Sequence, residues 1–403
     1  MSHYTTGPKH SGVRLRPMLP LLLLASMVAP LTTNILLPSL PGLAKSLDVS
    51  REAAQLAISA YIFAMAFTLL LIGPVSDRFG RRPTLLACFA VFTVASLMAI
   101  FATSIEMLVA ARLLQALGAT AGMSVPRTVV SDVSSRSETA RIIAYMTAVM
   151  VLAPMAAPNV GSLLDSLFGW WSIFAFCAGL GALVFALAAL TMKETRPQGA
   201  TPPTAGEILD RSKSLLRNRE FLRFAALTST STASYYALLG GAPDLIIDGM
   251  GRTPAEFGRW LIMLGIGYAA GNFLSGRIAG RVGLVRMAAL GNMVLLLSGV
   301  LMVVGALAGL HVPLAVFLPA LIMAFGNGLV LPSTMASALQ IDPRAAGTAS
   351  GLMGFIQMFS SAVMAQAIVS FGGKTALPIG LAIAISGLIA VVLLPPRFRQ
   401  GPR

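Results

Sequence analysis

Charged residues are scarce in this sequence: they make up 11% of its 403 residues, while 56% are hydrophobic. Soluble globular proteins carry about 25% charged residues, so the composition excludes an ordinary soluble enzyme. Cysteine is equally scarce, and Cys88 and Cys177 both fall in apolar runs, which excludes a disulfide framework and zinc-type spacing. The three histidines, His3, His10 and His311, fall in tails or loops, so the sequence predicts no metal site.

Motifs for nucleotide-driven or hydrolytic chemistry are also missing. The sequence has no Walker loop, so ATP does not drive this chain directly, and it has no zincin or serine-nucleophile pattern. The glycines of Gly265-Ile-Gly267-Tyr-Ala-Ala-Gly271 miss the dinucleotide spacing by one residue and lie inside an apolar run. We interpret them as small-residue helix packing. The sequence therefore predicts neither an enzyme nor a cofactor.

Long apolar runs dominate the chain instead. About 20 apolar residues cross a bilayer as a helix, and twelve runs of that size are present. They are residues 19–38, 53–75, 84–102, 107–130, 140–163, 171–192, 221–242, 257–276, 286–308, 314–338, 348–371 and 377–394. The first run follows a basic tail, but eleven further runs and no convincing cleavage site indicate a first helix rather than a signal peptide. The predicted fold class is an all-α membrane protein with twelve transmembrane helices.

The distribution of positive charge predicts the orientation. An even number of helices places both termini on one side of the membrane. One basic residue, Arg112, lies inside a run and away from both of the ends near which the other basic residues fall. Only five of the 29 fall opposite the termini: Lys45, Arg51, Arg252, Arg259 and Lys374. The positive-inside rule then places both termini in the cytoplasm. The net charge of +14 thus reflects topology and attraction to anionic membrane lipid, not nucleic-acid binding.

A polar stretch at residues 193–220 divides the predicted helices six and six. It contains Pro202-Pro203 and a short amphipathic segment around residues 207–216. We therefore expect five segments along the chain. They are a cytoplasmic tail (1–18), a six-helix bundle (19–192), a cytoplasmic linker (193–220), a second six-helix bundle (221–394) and a cytoplasmic tail (395–403).

A short repeat relates the two predicted bundles. The glycines and the arginine of a Gly-x4-Arg-x-Gly pattern at residues 73–80 recur 203 positions later, at residues 276–283. The two copies fall on equivalent loops of the two halves, which indicates pseudo-symmetric bundles with a site between them near the membrane midplane. Only the first copy has an acidic residue, Asp77, where the second has Gly280.

Five motifs along the chain resemble those of the major facilitator superfamily. The segment from Gly73 to Arg82 resembles its loop signature, Arg112-Leu-Leu-Gln-Ala-Leu-Gly118 its fourth-helix motif, and the segment 153–161 its fifth-helix "antiporter" motif. Leu37-Pro-Ser-Leu-Pro41 and the segment 346–357 narrow the resemblance to the bicyclomycin/chloramphenicol-resistance (Bcr/CflA-type) branch of drug:proton antiporters. The resemblance covers nearly the whole chain and implies efflux of small, mostly hydrophobic drugs or metabolites by alternating access.

The resemblance assigns the loop between the second and third helices to a conformational switch. Its residues are Gly73, Asp77, Arg78, Gly80, Arg81 and Arg82. An acidic group at a helix end can pair with loop arginines and with a facing helix N-terminus. The implied role is a latch that joins the halves on the cytoplasmic side when the cavity faces out. The alternative is a positive-inside cluster balanced by one carboxylate.

Proton coupling depends on the ionisable groups near the membrane interior. An arginine at mid-membrane costs roughly 2.5–3.5 kcal/mol by insertion scales, so Arg112 is expected to face the bundle interior. The resemblance implies that it tunes proton release; the alternative is that it bonds to carbonyls and holds helices together. The branch commonly carries a carboxylate where this chain has Asn34, which cannot take up a proton. We therefore expect the coupling carboxylate at a helix edge and assign this role to Asp132.

Pro154 and Pro158 lie one turn apart in the fifth helix, with Gly161 following. Together the prolines remove two backbone donors and are expected to kink or loosen the helix. The resemblance implies that this bend seals a leak path in exporters that exchange substrate for protons. The alternative is a role in packing alone.

Polar or aromatic groups on apolar helices are the candidates for a substrate cavity. They are Asn34, Tyr61, Met65, Tyr145, Met150, Tyr235, Tyr236 and Gln357. Each alone is equally compatible with interhelical packing. Uptake of a nutrient or of copper is the alternative function, because Met146 and Met150 could bind soft Cu(I). A non-transporting receptor would need larger loops than this chain has. The expected partners are a small-molecule substrate, protons and membrane lipid, and we expect a monomer.

Overall fold

The structure, a computed structural model, describes residues 16–134, 136–196, 204–342, 346–370 and 375–394. Most of both predicted tails and part of the predicted linker lie outside the described residues. The described residues form helices and turns without a strand. The helices are α1 (Leu19–Asn34), α2 (Leu40–Ser46), α3 (Arg51–Phe79), α4 (Arg81–Ile100), α5 (Ile105–Val133), α6 (Arg136–Phe168), α7 (Trp171–Thr191), α8 (Ala205–Arg217), α9 (Arg219–Pro243), α10 (Pro254–Val282), α11 (Leu284–Leu307), α12 (Pro313–Ile341), α13 (Ala346–Ser370) and α14 (Leu377–Val392).

Twelve of these helical segments correspond to the twelve predicted runs. A 3₁₀ turn at Leu37–Ser39 joins α1 to α2, and both lie in the segment Leu19–Ser46. Among the described residues, eight segments are long and apolar enough to cross a membrane. The apolar α14 has 16 residues, and the more polar α6, α9 and α10 have 33, 25 and 29. The predicted all-α membrane fold is confirmed.

Short polar residues fix where several helices begin. The Ser50 and Ser104 hydroxyls accept hydrogen bonds from the backbone N–H groups of the first turns of α3 and α5. Thr204 with Glu207 forms a capping box at the start of α8. The sequence placed this amphipathic linker helix at residues 207–216, and the structure has it at Ala205–Arg217.

The internal repeat is visible in the backbone. Helices α3 and α10 each have 29 residues, and they begin at residues 51 and 254, which are 203 positions apart. Each ends at a glycine with positive φ, 101° at Gly80 and 90° at Gly283. L side chains rarely adopt this conformation, so glycine allows the chain to turn at once into α4 or α11.

The packing follows the same pseudo-symmetry. In the first half (α1–α7), α3 and α4 pack on α5, and α4 packs on α7. In the second half (α9–α14), α10 and α11 pack on α12, and α11 packs on α14. The halves meet where α3 packs on α13 and where α10 packs on α6. The two interfaces are equivalent under the pseudo-symmetry, because α10 is the counterpart of α3 and α13 is the counterpart of α6.

Small residues let these helices approach closely. A Cβ atom at Gly267 or Gly271 would collide with the backbone carbonyl oxygens of Leu321 and Phe325 on α12. The glycines of this segment therefore serve helix packing, as the sequence predicts. We call the end of the molecule where α3 begins the Arg51 end. The opposite end, which holds Gly80 and α8, is the Gly80 end.

Candidate functional site

A cavity of about 270 Å³ lies between the two halves. Both halves contribute its walls, because α1, α5 and α6 face α9, α10, α12 and α13. The lining residues are Pro30, Asn34, Leu37, Arg127, Met150, Pro154, Pro158, Thr232, Tyr235, Tyr236, Leu239, Leu261, Leu264, Gly265, Tyr268, Asn327, Leu331 and Met358. The mostly apolar walls with a few polar groups suit a small organic molecule.

Four of the eight predicted cavity residues line this space: Asn34, Met150, Tyr235 and Tyr236. Asn34 is 4% exposed, and its Oδ1 atom has no hydrogen-bond partner among the described residues. The rings of Tyr235 and Tyr236 meet edge to face, with centroids 5.5 Å apart. These side chains give the apolar cavity its polar and aromatic contacts.

The other four predicted cavity residues lie outside the lining. Tyr61 and Met65 are buried in the first half, and the Tyr61 hydroxyl donates to the Ala29 carbonyl oxygen at 3.2 Å. Tyr145 is 52% exposed on α6. Gln357 supports the wall indirectly, because its Nε2 donates to the Thr232 hydroxyl at 2.9 Å.

Arg127 is a cavity residue that the sequence analysis did not identify. It is the one charged residue among the described residues that line the cavity. Its Nη2 atom donates to the Met150 sulfur at 3.2 Å. The sequence analysis placed Arg127 near the end of an apolar run and counted it as a topological charge. However, α5 continues to Val133, more than a full turn further, so Arg127 faces the space between the halves.

Arg112 lies away from the cavity and is fully buried. Its Nε donates to the Ala57 carbonyl oxygen of α3 at 2.8 Å, and its Nη2 donates to the Thr32 carbonyl oxygen of α1 at 3.2 Å. Its Nη1 donates to Gln115 Oε1 at 2.9 Å, and Cζ lies 4.1 Å from the centroid of the Tyr61 ring. This geometry favours the interpretation that Arg112 holds α1, α3 and α5 together.

The predicted switch residues form a polar cluster at the Gly80 end. The buried Arg81 guanidinium pairs with Asp77, donates to Ser76 Oγ at 2.9 Å, and donates to Asp132 Oδ2 at 3.1 Å. Asp132 thus belongs to the switch cluster, separate from Arg112, with which the sequence grouped it. Each of these contacts lies within the first half.

Glu194, just after α7, completes this cluster. Its carboxylate accepts hydrogen bonds from the backbone N–H groups of Arg81 at 2.9 Å and Arg82 at 3.2 Å, in the first turn of α4. Burial by itself would raise the pKa of Glu194, but these bonds and those from Thr195 and Arg196 lower it below its ordinary value. A Cβ atom at Gly80 would collide with this carboxylate, so the glycine leaves room for it.

The remaining switch residues surround the same loop. The Gly73 carbonyl oxygen accepts from Ser76 Oγ at 3.0 Å. The Arg78 carbonyl oxygen accepts from Arg196 Nη1 at 2.7 Å, and Arg82 Nη2 donates to the Ala189 carbonyl oxygen at 3.0 Å. The loop is therefore tied to the segment that leads from α7 into the linker.

Polar contacts join the two halves at the Arg51 end. Arg51, in the first turn of α3, pairs with both Asp244 and Asp248 of the turn after α9, at 2.5 Å each. Gln366 Nε2 of α13 donates to the Glu52 carbonyl oxygen at 3.0 Å. Asn159 Nδ2 of α6 donates to the Gly258 carbonyl oxygen at 3.1 Å. The sequence analysis did not anticipate this closure.

The predicted antiporter-motif helix, α6, runs unbroken through both prolines. Pro154 and Pro158 line the cavity, and a Cβ atom at Gly161 would collide with the Ile35 carbonyl oxygen just after α1. Because α6 also packs on α10 of the second half, it connects the cavity wall to the interface between the halves.

The structure also bears on the copper alternative. Met146 is fully buried, and Met150 accepts a hydrogen bond from the cationic Arg127. A positive guanidinium beside the thioether disfavours binding of a second cation there. The methionine pair therefore gives little support to a copper site.

Comparison with known proteins agrees with this architecture. The sequence profile of the Major Facilitator Superfamily matches residues 22–365. The chain is 30% identical to the uncharacterized MFS-type transporter YdgK of Bacillus subtilis, covering 96% of each chain. It is 28% identical to a bicyclomycin resistance protein homolog of Haemophilus influenzae (91% and 92% covered) and to multidrug resistance protein D of Escherichia coli (93% and 94% covered).

The fold also matches a solved transporter. The crystal structure of a D-xylose–proton symporter superposes with a TM-score of 0.74 at 12% identity, covering 96% of this chain and all of that one. The predicted resemblance to the superfamily and to its drug-resistance branch is confirmed by these relatives. Members of this family are transporters rather than enzymes, embedded in the membrane and acting on small molecules. This chain belongs to the Major Facilitator Superfamily.

Proposed function

We propose that this protein exports small, mostly hydrophobic drugs or metabolites across the cytoplasmic membrane in exchange for protons. The observation that carries this proposal is the central cavity, whose apolar walls come from both halves and hold a few polar groups. The relatives named for multidrug and bicyclomycin resistance support export as the direction. The proline-containing α6, which lines the cavity, agrees with the antiporter motif.

The proposed mechanism is alternating access between the two halves. The positive-charge distribution supports a cytoplasmic location for the Gly80 end and both termini. The contacts of Arg51 with Asp244 and Asp248 then close the outer side of the protein. For the cavity to open outward, these ion pairs must break and the Gly80 end must close.

We assign the closing contact at the Gly80 end to Asp77. In the structure, which is closed at the Arg51 end, the Asp77 carboxylate pairs with Arg81 of the same loop, and 38% of the side chain is exposed. A carboxylate so placed is available to the N-terminus of a helix from the second half when the two halves approach. Domain movement in major facilitator proteins would then exchange a contact at one end for a contact at the other.

Proton coupling is assigned to Asp132 in the switch cluster. Protonation of Asp132 would remove one of the two carboxylates that hold Arg81 and so loosen the loop that carries Asp77. Arg112 contributes to coupling by joining α5, which carries Asp132, to α3, which carries Asp77. The cavity itself contains no carboxylate among the described residues that line it.

Transport by the purified protein in proteoliposomes tests this proposal. We expect lipophilic antibiotics such as phenicols to move in the direction opposite to an imposed proton gradient. Their flux should rise when the gradient is imposed and fall when it is collapsed. Asp132→Asn is expected to transport at a rate that no longer responds to the gradient. Flux that is independent of pH in the wild-type protein would contradict proton exchange, and no flux of any lipophilic compound would contradict export.

A further inference from the structure

We propose that the central cavity selects lipophilic organic anions, with Arg127 as the residue that recognises the anionic group and Asn34 as the acceptor for a donor elsewhere on the same molecule. This inference rests on the proposed function, because it names the substrate class of the same cavity. The substrates it implies are amphipathic weak acids, such as carboxylates, with an apolar body and an N–H or O–H group.

The first observation is the uncompensated charge of Arg127. The structure shows no ion pair for Arg127 among the described residues, and its recorded hydrogen bond goes to the Met150 thioether. Sulfur of this kind is a weak acceptor. A guanidinium has five N–H donors in a fixed fork that matches a carboxylate. An anionic substrate would therefore supply the charge and the acceptors that the protein does not.

The second observation is the sign of the cavity. Among the described residues that line it, Arg127 is charged and no aspartate or glutamate is present. One uncompensated positive charge in this lining repels cations and attracts anions. A lipophilic cation would find no carboxylate to pair with in this lining.

The third observation is the position of Arg127 at the interface between the halves. Arg127 on α5 and Tyr268 on α10, in the other half, both line the cavity. An anion bound to Arg127 can accept a second hydrogen bond from this phenol. The substrate would then contact both halves at one point, which is what a molecule must do to influence their relative movement.

Asn34 provides the second polar contact. Only 4% of Asn34 is exposed, although the residue lines the cavity. Its Oδ1 atom has no hydrogen-bond partner among the described residues. An unpaired buried carbonyl oxygen is costly, and a donor on the substrate would satisfy it. Asn34 lies near the middle of the segment Leu19–Ser46, whereas Arg127 lies near the end of α5 at the Gly80 end.

Arg127 therefore lies closer to the Gly80 end of the cavity than Asn34 does. The wall also contains apolar side chains of the second half, including Leu239, Leu261, Leu264 and Leu331. A bound molecule would point its anionic group toward the Gly80 end and its donor toward the Arg51 end. Arg112 does not compete for this role, because its donors are occupied by protein acceptors and it lies outside the lining.

A matched set of fluorescent probes tests the inference. Dansylglycine is an anion, dansylglycinamide is neutral and dansylcadaverine is a cation; all three share one fluorophore and a sulfonamide N–H. Equilibrium binding to the purified protein is measured by dansyl fluorescence. We expect dansylglycine to bind at least about tenfold more tightly than the amide, as a charged hydrogen bond provides, and dansylcadaverine to bind most weakly.

Three variants separate the contributions. Arg127→Gln is expected to remove the preference for dansylglycine over the amide, and Arg127→Lys to restore part of it. Asn34→Val is expected to weaken all three probes by a similar factor of about five and to leave the charge preference unchanged. Arg259→Gln, which removes an exposed positive charge outside the cavity, controls for net charge and is expected to bind like the wild type.

Either of two results would overturn the inference: Arg127→Gln binds dansylglycine as well as the wild type does, or the wild type binds dansylcadaverine more tightly than dansylglycine. Because binding is measured at equilibrium, it is independent of transport direction and of pH gradients. Charge-selective binding without pH-driven export would contradict the proposed function alone. Export of neutral compounds with no effect of Arg127→Gln on binding would contradict this inference alone.

Discussion

Arg51 and Asp244 form an ion pair of 2.5 Å between α3 of the first half and the turn that follows α9 of the second. The same guanidinium reaches Asp248 one turn further along, also at 2.5 Å. One arginine thus holds two carboxylates from the opposite half. This contact and the switch cluster lie at opposite ends of α3, so a rigid movement of that helix affects both.

Arg51→Gln should shift the protein toward a state that is open at the Arg51 end. Both ion pairs are partly exposed, so each is worth about 0.2–1 kcal/mol, and the loss of both should move the equilibrium by up to about thirtyfold. Spin labels are placed at positions 101 and 310, which lie at the Arg51 end of the first and second halves, in a background with both cysteines replaced by alanine. The distribution of distances between the two labels reports the opening. Longer distances are expected.

Arg252→Gln is the matched control, because it removes an exposed positive charge at the same end without a described ion pair. Its distance distribution should match that of the parent. If Arg51→Gln also matches the parent, the ion pairs do not hold the halves together.

Arg112→Ala should lower thermal stability and abolish transport together. The substitution leaves the Ala57 and Thr32 carbonyl oxygens and the Gln115 side chain without their donor, and each unpaired buried group costs about 1–3 kcal/mol. Thermal unfolding in detergent and flux in proteoliposomes measure the two effects. Arg127→Gln is the comparison, because it removes only a weak hydrogen bond to the Met150 sulfur of α6 and should change stability little. If Arg112→Ala is as stable as the wild type, Arg112 does not hold the helices together.

Asp77→Asn should reduce transport with little effect on expression or stability. The loop stays in place because Arg81 keeps its contacts with Asp132 and Ser76. If the lost contact is worth one or two kcal/mol in the outward-facing state, flux should fall by about fivefold or more. Asp210→Asn, at an exposed acidic position on α8 outside the switch cluster, controls for charge. Normal flux in Asp77→Asn argues against the latch.

Gly161→Ala should destabilise the first half. The new Cβ atom would meet the backbone carbonyl oxygen of Ile35, which cannot rotate away, so α6 must shift. Overpacking of this kind costs about 1–3 kcal/mol. Gly179→Ala on α7 is the matched control, because no atom lies within 4 Å of its Cβ position, and it should be neutral or stabilising. Equal melting temperatures for the two variants would show that α6 tolerates the shift.

The Glu194 contact should depend on pH. Its pKa is below the ordinary value in the folded protein, so the charged form is bound and its contribution is complete above the ordinary pKa of a free glutamate, about 4.3. That contribution is lost as the pH falls through the lowered pKa. The melting temperature of wild type minus that of Glu194→Gln should be positive at neutral pH and disappear in acid. A difference that is constant with pH would contradict a charged Glu194.

Features encoded locally were predictable from sequence. The twelve helices follow from the lengths of the apolar runs, and the repeat follows from glycines and an arginine at one offset. The burial of Arg112 follows from its place inside a run. Asn34, Pro154 and Pro158 were also candidates, because a polar residue or a proline inside an apolar helix is conspicuous.

Features that depend on how helices dock were not predictable. Arg127 and Arg51 sit near helix ends, where a basic residue has the same sequence signature whether it marks topology, lines a cavity or joins two halves. Asp132 meets Arg81 across 51 positions, and Arg51 meets Asp244 across 193. No local pattern relates such residues.

The sequence by itself determined the membrane-spanning helices, their number and the relationship of the two halves, because hydrophobic length and residue spacing act within each helix. Only the tertiary structure decided which charges are partnered. Arg112 is satisfied by carbonyl oxygens, Arg81 and Arg51 by carboxylates, and Arg127 faces an open cavity. The reason is physical: the fate of a charge in a membrane protein depends on which helix faces it, and that is fixed only when the helices pack.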